Sequence, residues 1–198
     1  MKADLDWTSK CALDDSNCNW RPRFFTVNTR NETHTSRNRT NQFIVQNNGP
    51  SGGGRLDTIA LFTNVPSNVS NCTVAFYKPS MGIFYGTYSD GAMNISTLDM
   101  RGAPFAEAVG SNEINYKITK AFIDKETVQG TLDLGNWGHT VSSAFLTGPK
   151  FACKGEVAVH FALNAAHSEG SVTFDQASEV QPVFNSYVQR AGWVLVYE

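Results

Sequence analysis

Charge is scarce in this chain, and what there is cancels: 16 Lys and Arg stand against 18 Asp and Glu, for a net charge of −2. So balanced a surface argues against nucleic acid or an anionic membrane as the main partner. Long hydrophobic runs are missing too. Nothing approaches the roughly 20 apolar residues of a membrane span, and MKADLDWTSK (1–10) has no apolar signal-peptide core. The chain is therefore expected to be a mature protein with its signal removed, or a trimmed fragment. Histidine is limited to His34, His139, His160 and His167, with no H-x-H or H-x-x-x-H spacing, so no metal site is predicted. No C-x-x-C pair exists for zinc, and no G-x-S-x-G elbow for a serine nucleophile. No cofactor is expected.

Cysteine and asparagine carry the positive signal. The stretch PSNVSNCTVAFYKP (66–79) overlaps two N-x-[ST] acceptor patterns, at Asn68 and Asn71, around Cys72. Further sequons stand at Asn31, Asn38 and Asn94. Chance in so Asn-, Ser- and Thr-rich a chain gives about three, so the excess is mild. The four cysteines are Cys11, Cys18, Cys72 and Cys153. Cys11 and Cys18 are close enough to close a small loop on themselves, which leaves Cys72 to pair with Cys153. That second bridge closes a loop worth roughly 4 to 5 kcal/mol in the chain-entropy account. Disulfides and sequons together imply a secreted, eukaryotic glycoprotein.

Periodicity gives the fold. Short runs alternating with period two occur at 24–29, 42–47, 57–65, 72–78, 93–100, 114–123, 127–134, 142–148, 156–164, 171–176 and 192–198. Turn signals lie between them, among them NNGPSGGG, SDG, GNWG and SEG. About eleven closely spaced strands predict an all-β antiparallel sandwich or jelly roll. Only APFAEAVGSN (103–112) has helical composition, enough for one turn. Residues 1–23 read as an irregular, disulfide-bearing segment packed on a single sandwich domain spanning 24–198.

Within 71–77 the pleat separates two roles. Cys72, Val74 and Phe76 share one face and are predicted to look inward. Asn71 and Thr73 share the other, which can stay wet, though Ala75 and Tyr77 make it less polar further along.

The stretches IALFTNVPSNVSNCTVAFYKPS (59–80), FAC (151–153) and GWVLVYE (192–198) resemble the C-terminal domain of the fungal secreted But2 family, over about residues 55–198. Those domains likewise run an extended segment into a proline and then Cys-x-apolar-x-Phe, with a later partner cysteine and an apolar final strand preceded by glycine. The resemblance implies a fungal extracellular or cell-wall β-sandwich without assigned chemistry. The long 93–150 middle and the lack of a terminal cysteine depart from that pattern.

No residue set compels catalysis. Glycoside hydrolysis needs two facing carboxylates, and Asp99, Glu113, Asp124, Glu126, Asp133, Glu156 and Asp175 are scattered. Asp124 and Glu126 read as solvated charges in a hairpin turn, and His160 as a side chain pointing out from a strand. Tyr85, Tyr88, Arg101 and His139 could assemble a lyase site, yet nothing in their spacing requires it. Binding asks for less, because sugar faces stack on exposed rings flanked by polar groups. Trp137 lies between two glycines in LGNWGHT, with Asn136 and His139 beside it, and Tyr85, Tyr88 and Asp90 fall in FYGTYSDGAMN. Trp7, Trp20 and Trp193 read as structural. The chain is thus expected to be a non-catalytic binder of glycan or of a cell-wall or host surface. The alternative is a jelly-roll glycoside hydrolase or polysaccharide lyase.

Overall fold

Alternation along the strands builds antiparallel sheets, in which apolar positions meet face to face and polar ones are turned away. The computed structural model describes residues 11, 17–36, 41–48, 54–78, 91–100, 103–109, 114–135, 144–164, 169–177, 181–183, 186–188 and 190–198. One sheet has the order β1 (Cys18–Asn19), β13 (Gly192–Tyr197), β5 (Asn71–Lys78) and β8 (Ala144–Ala152). The other runs β4 (Arg55–Val65), β9 (Gly155–Leu163), β6 (Ala92–Thr97) and β7 (Thr127–Asp133), with β2 (Arg23–Asn28) also on β4. β3 (Gln42–Asn48) joins β4 through Arg55 and Leu56 and carries β10 (Glu169–Asp175) on its far side. A small hairpin pairs β11 (Gln181–Val183) with β12 (Ser186–Val188).

The two faces that meet form an aromatic core. Trp193 of β13 is fully buried, its ring centroid 4.5 Å from Phe161 of β9 and 4.9 Å from Phe76 of β5. Phe43 of β3 stacks on Phe174 of β10 at 4.8 Å and closes one side. Such ring pairs add about 0.5 to 1.5 kcal/mol each beyond the area they bury. Cys72, Val74 and Phe76 all point into this core, as the pleat predicts, and the Cys72–Cys153 bridge lies at its end.

Each sheet also has a covered outer face. Over the first sheet, Cys11, Cys18 and Trp20 pack on Ala75, Tyr77, Val194 and Val196, and Cys11 is bonded to Cys18. The indole of Trp20 donates to Cys11 O at 2.8 Å and meets the Tyr77 ring edge-on at 6.1 Å. The expectation that the sequon face of β5 stays wet is overturned at Thr73, which is buried together with Ala75 and Tyr77, and only Asn71 stays half-exposed.

Over the second sheet lie two helices, α1 (Phe105–Val109) and α2 (Tyr116–Ile123). Here the prediction of a strand at 114–123 fails. Ile114, Ile118 and Phe122 recur every fourth residue and pack on Phe25, Val27, Ile59 and Leu61 of the sheet. Asn115 caps α2, its side-chain oxygen accepting from Ile118 N at 3.0 Å. Ile114, Tyr116 and Ile118 fit a two-residue period as well as a helical one, and the cap decides.

The strand directions give the sandwich two unlike ends. At one end β5 begins at Asn71 beside Ala152, and Val65 stands across from Gly155. This end carries Asn68, Cys72–Cys153 and the turn from β8 to β9. At the other end Lys78 pairs with Ala144, Met93 with Leu163, and Ala92 with Asp133.

Candidate functional site

The sequence-predicted ligand residues Tyr85, Tyr88, Asp90, Asn136, Trp137 and His139 lie outside the described residues. What the fold does place is where their segments attach. Lys78 and Gly91 bound one segment, and Gly135 and Ala144 the other. Leu134 N donates to Gly91 O at 3.1 Å, and a β-carbon on Gly91 would stand 2.6 Å from Gly135 N. Backbone to backbone contact of this kind needs glycine. The two segments, far apart in sequence, thus leave the same end of the sandwich from touching points.

Among the sequons, Asn31 and Asn68 are exposed, Asn71 and Asn94 are half-exposed, and Asn38 lies outside the described residues.

A charged cluster that the sequence reading missed sits between α2 and the outer face of the second sheet. His160 is 3% exposed at its side chain, with its Nδ1 2.6 Å from Glu126 Oε2. Its Nε2 lies 3.5 Å from Asp57 Oδ2, an ion-pair distance. Asp57 in turn accepts from Arg55 Nε at 3.0 Å, and Arg55 Nη2 reaches Leu163 O at 3.4 Å. Burial alone pushes the imidazole pKa down, but the hydrogen bonds and charges of Asp57 and Glu126 outweigh it and hold His160 at about 9. The expectation for Glu126 needs correcting, and the outward direction of His160 holds. His160 does point out of its strand, but into the space under α2 rather than into water. Glu126 is not a solvated turn charge, because the helix preceding it brings its carboxylate back over β9. Only the alternation around His160 was legible, and it did not reveal the covering layer.

This geometry is a clamp more than a catalyst. Ser96 faces His160 across β6 and β9, which with Glu126 resembles a nucleophile, a base and an orienting acid. Yet Ser96 is fully buried, and an imidazolium has no lone pair with which to take a proton.

One cleft lies at the end that carries Asn68. With a volume of about 630 Å³, it runs between the β8–β9 turn and the segment leading into α1, lined by Asp99, Met100, Pro104, Phe151, Lys154 and Glu156 among others. Two carboxylates scattered in sequence, Asp99 and Glu156, are brought into one cleft. Glu156 Oε2 is already engaged, accepting from Phe105 N at 2.7 Å at the start of α1. No group of three or more His, Cys, Asp or Glu residues that could hold a metal occurs among the described residues. No helix among them is long and apolar enough to cross a membrane.

Comparison with protein-family models finds no match, and comparison with curated proteins finds none either.

Proposed function

We propose that the chain is an extracellular, N-glycosylated fungal protein that binds glycan, or a cell-wall or host surface, without catalysing a reaction. The observation that carries this reading is the shared attachment of the two aromatic-bearing segments, joined through Leu134 N and Gly91 O at one end of the sandwich. A rigid sandwich that gathers connecting segments at one end is a common platform for recognition, since the scaffold positions residues that its own stability does not require. Trp137, Tyr85 and Tyr88 supply the rings, and Asn136, His139 and Asp90 the polar partners. The two disulfides and the exposed Asn31 and Asn68 support an oxidising, extracellular setting. The resemblance to the fungal But2 domains supports the same setting.

A second reading, the jelly-roll carbohydrate-active enzyme, is favoured by one observation, the presence of Asp99 and Glu156 in a single cleft. The readings separate in a paired assay: a glycan array, and release of reducing sugar from cell-wall polysaccharide. Binding without release supports the first. Release that disappears in Asp99→Asn and Glu156→Gln replaces it with the second.

A further inference from the structure

The described sequons divide into two kinds once each whole triplet is followed through the fold. The pattern N-x-[ST] demands a hydroxyl two residues after the Asn, so the sugar-transferring enzyme reads that hydroxyl together with the amide. In Asn31-Glu32-Thr33 both groups are exposed, in the turn that follows β2. In Asn68-Val69-Ser70 both are exposed again, in a turn held by Val69 N to Pro66 O at 3.1 Å. Neither triplet belongs to a sheet ladder.

The other two triplets are sealed. Asn71-Cys72-Thr73 starts β5, which has β13 on one side and β8 on the other. Thr73 is 5% exposed, and its hydroxyl donates to Glu198 Oε1 at 2.9 Å. Cys72 between them is bonded to Cys153. Asn94-Ile95-Ser96 lies in β6, between β7 and β9, with Ile95 and Ser96 fully buried. An enzyme cannot reach either hydroxyl without unpairing a central strand.

We propose that folding sorts the glycan acceptors: Asn31 and Asn68 accept sugar in the folded protein, whereas Asn71 and Asn94 accept it only before their strands pair. Occupancy of the second pair is then set by a race between transfer and sheet closure, which at Asn71 coincides with formation of the Cys72–Cys153 bridge. The donor class is an oligosaccharide on a lipid pyrophosphate. The Asn amide nitrogen forms a bond to the anomeric carbon, the carbon–oxygen bond to pyrophosphate breaks, and the amide proton passes to a base of the transferase. This inference rests on the extracellular reading above.

The test uses the full chain, made without sugar, folded and oxidised, and incubated with an oligosaccharyltransferase and its lipid-linked donor. Glycopeptide mass spectrometry then reads each site, and the same is done on chain reduced and unfolded. The folded protein is expected to carry sugar at Asn31 and Asn68, with Asn71 and Asn94 lower by about tenfold or more, because access there needs strand opening. Unfolding should bring those two up to the level of the others. Equal transfer to Asn68 and Asn71 in the folded protein overturns the proposal, as does a reduced chain that still refuses sugar at Asn71 and Asn94. A glycopeptide map of the protein from its source cells separates the premise: bare Asn31 and Asn68 there would overturn the extracellular reading, whatever the first assay gives.

Discussion

His160 makes the stability of this protein depend on pH in a direction that the cluster geometry dictates. Its folded pKa, about 9, stands above the ordinary 6.5 of imidazole. The charged form is therefore favoured by folding, and its contribution is fully present below pH 6.5 and fades as pH rises through 9. A shift of that size corresponds to about 3 kcal/mol. Urea unfolding at a series of pH values across this window should show wild type losing up to that amount. His160→Gln should be less stable at the acid end and nearly flat across the window. Equal slopes in the two proteins would show that some other group carries the dependence. A second residue-scale test concerns Gly192, which has φ of +110° and backs directly onto the Gln176 amide. That amide accepts from Trp193 N at 2.8 Å and donates to Trp193 O at 2.7 Å and Trp20 O at 3.2 Å. Gly192→Ala combines backbone strain with loss of these bonds and should cost about 3 kcal/mol, read as a lower melting temperature. A change under about 0.5 kcal/mol would mean that Gln176 can move aside freely.

Elements show how far the sequence could be followed. β5 was legible because Cys72, Val74 and Phe76 alternate with polar or smaller residues, and burial of the larger set on the inner face is the only stable choice. The bridge from Cys72 to Cys153 was legible by elimination, since Cys11 and Cys18 are near neighbours. α2 was not legible, because β-branched and aromatic residues such as Ile114, Tyr116 and Ile118 suit both periods and rank as strand formers. The deciding group was Asn115, a side chain whose capping role emerges only when Ile118 N is left without a helical partner. Asn115→Ala should therefore lower stability by about 1 kcal/mol. Asn115→Asp or Asn115→Ser should retain it, as followed by thermal unfolding. If all three variants behaved alike, the cap would have no energetic role.

At the scale of the whole molecule, the chain is a sandwich covered on both outer faces, by a disulfide loop with Trp20 on one side and by two helices on the other. Both covers lie over outward-facing strand positions, so the outward sides of His160, Ala75 and Tyr77 are packed rather than solvated. The two candidate binding regions lie at the two ends of the sandwich. One end holds Asn68, Asn71, the Cys72–Cys153 bridge and the cleft of about 630 Å³. The other gathers the attachment points of the segments bearing Trp137 and Tyr85. The two functional readings therefore differ in which end meets carbohydrate. The most direct measurement is the affinity for a glycan identified on an array, compared between wild type, Trp137→Ala and Asp99→Asn. Binding at the far end predicts a loss of about tenfold, or 1.4 kcal/mol, in Trp137→Ala and none in Asp99→Asn. Unchanged affinity in Trp137→Ala together with lost binding in Asp99→Asn would contradict the account and move the site to the cleft.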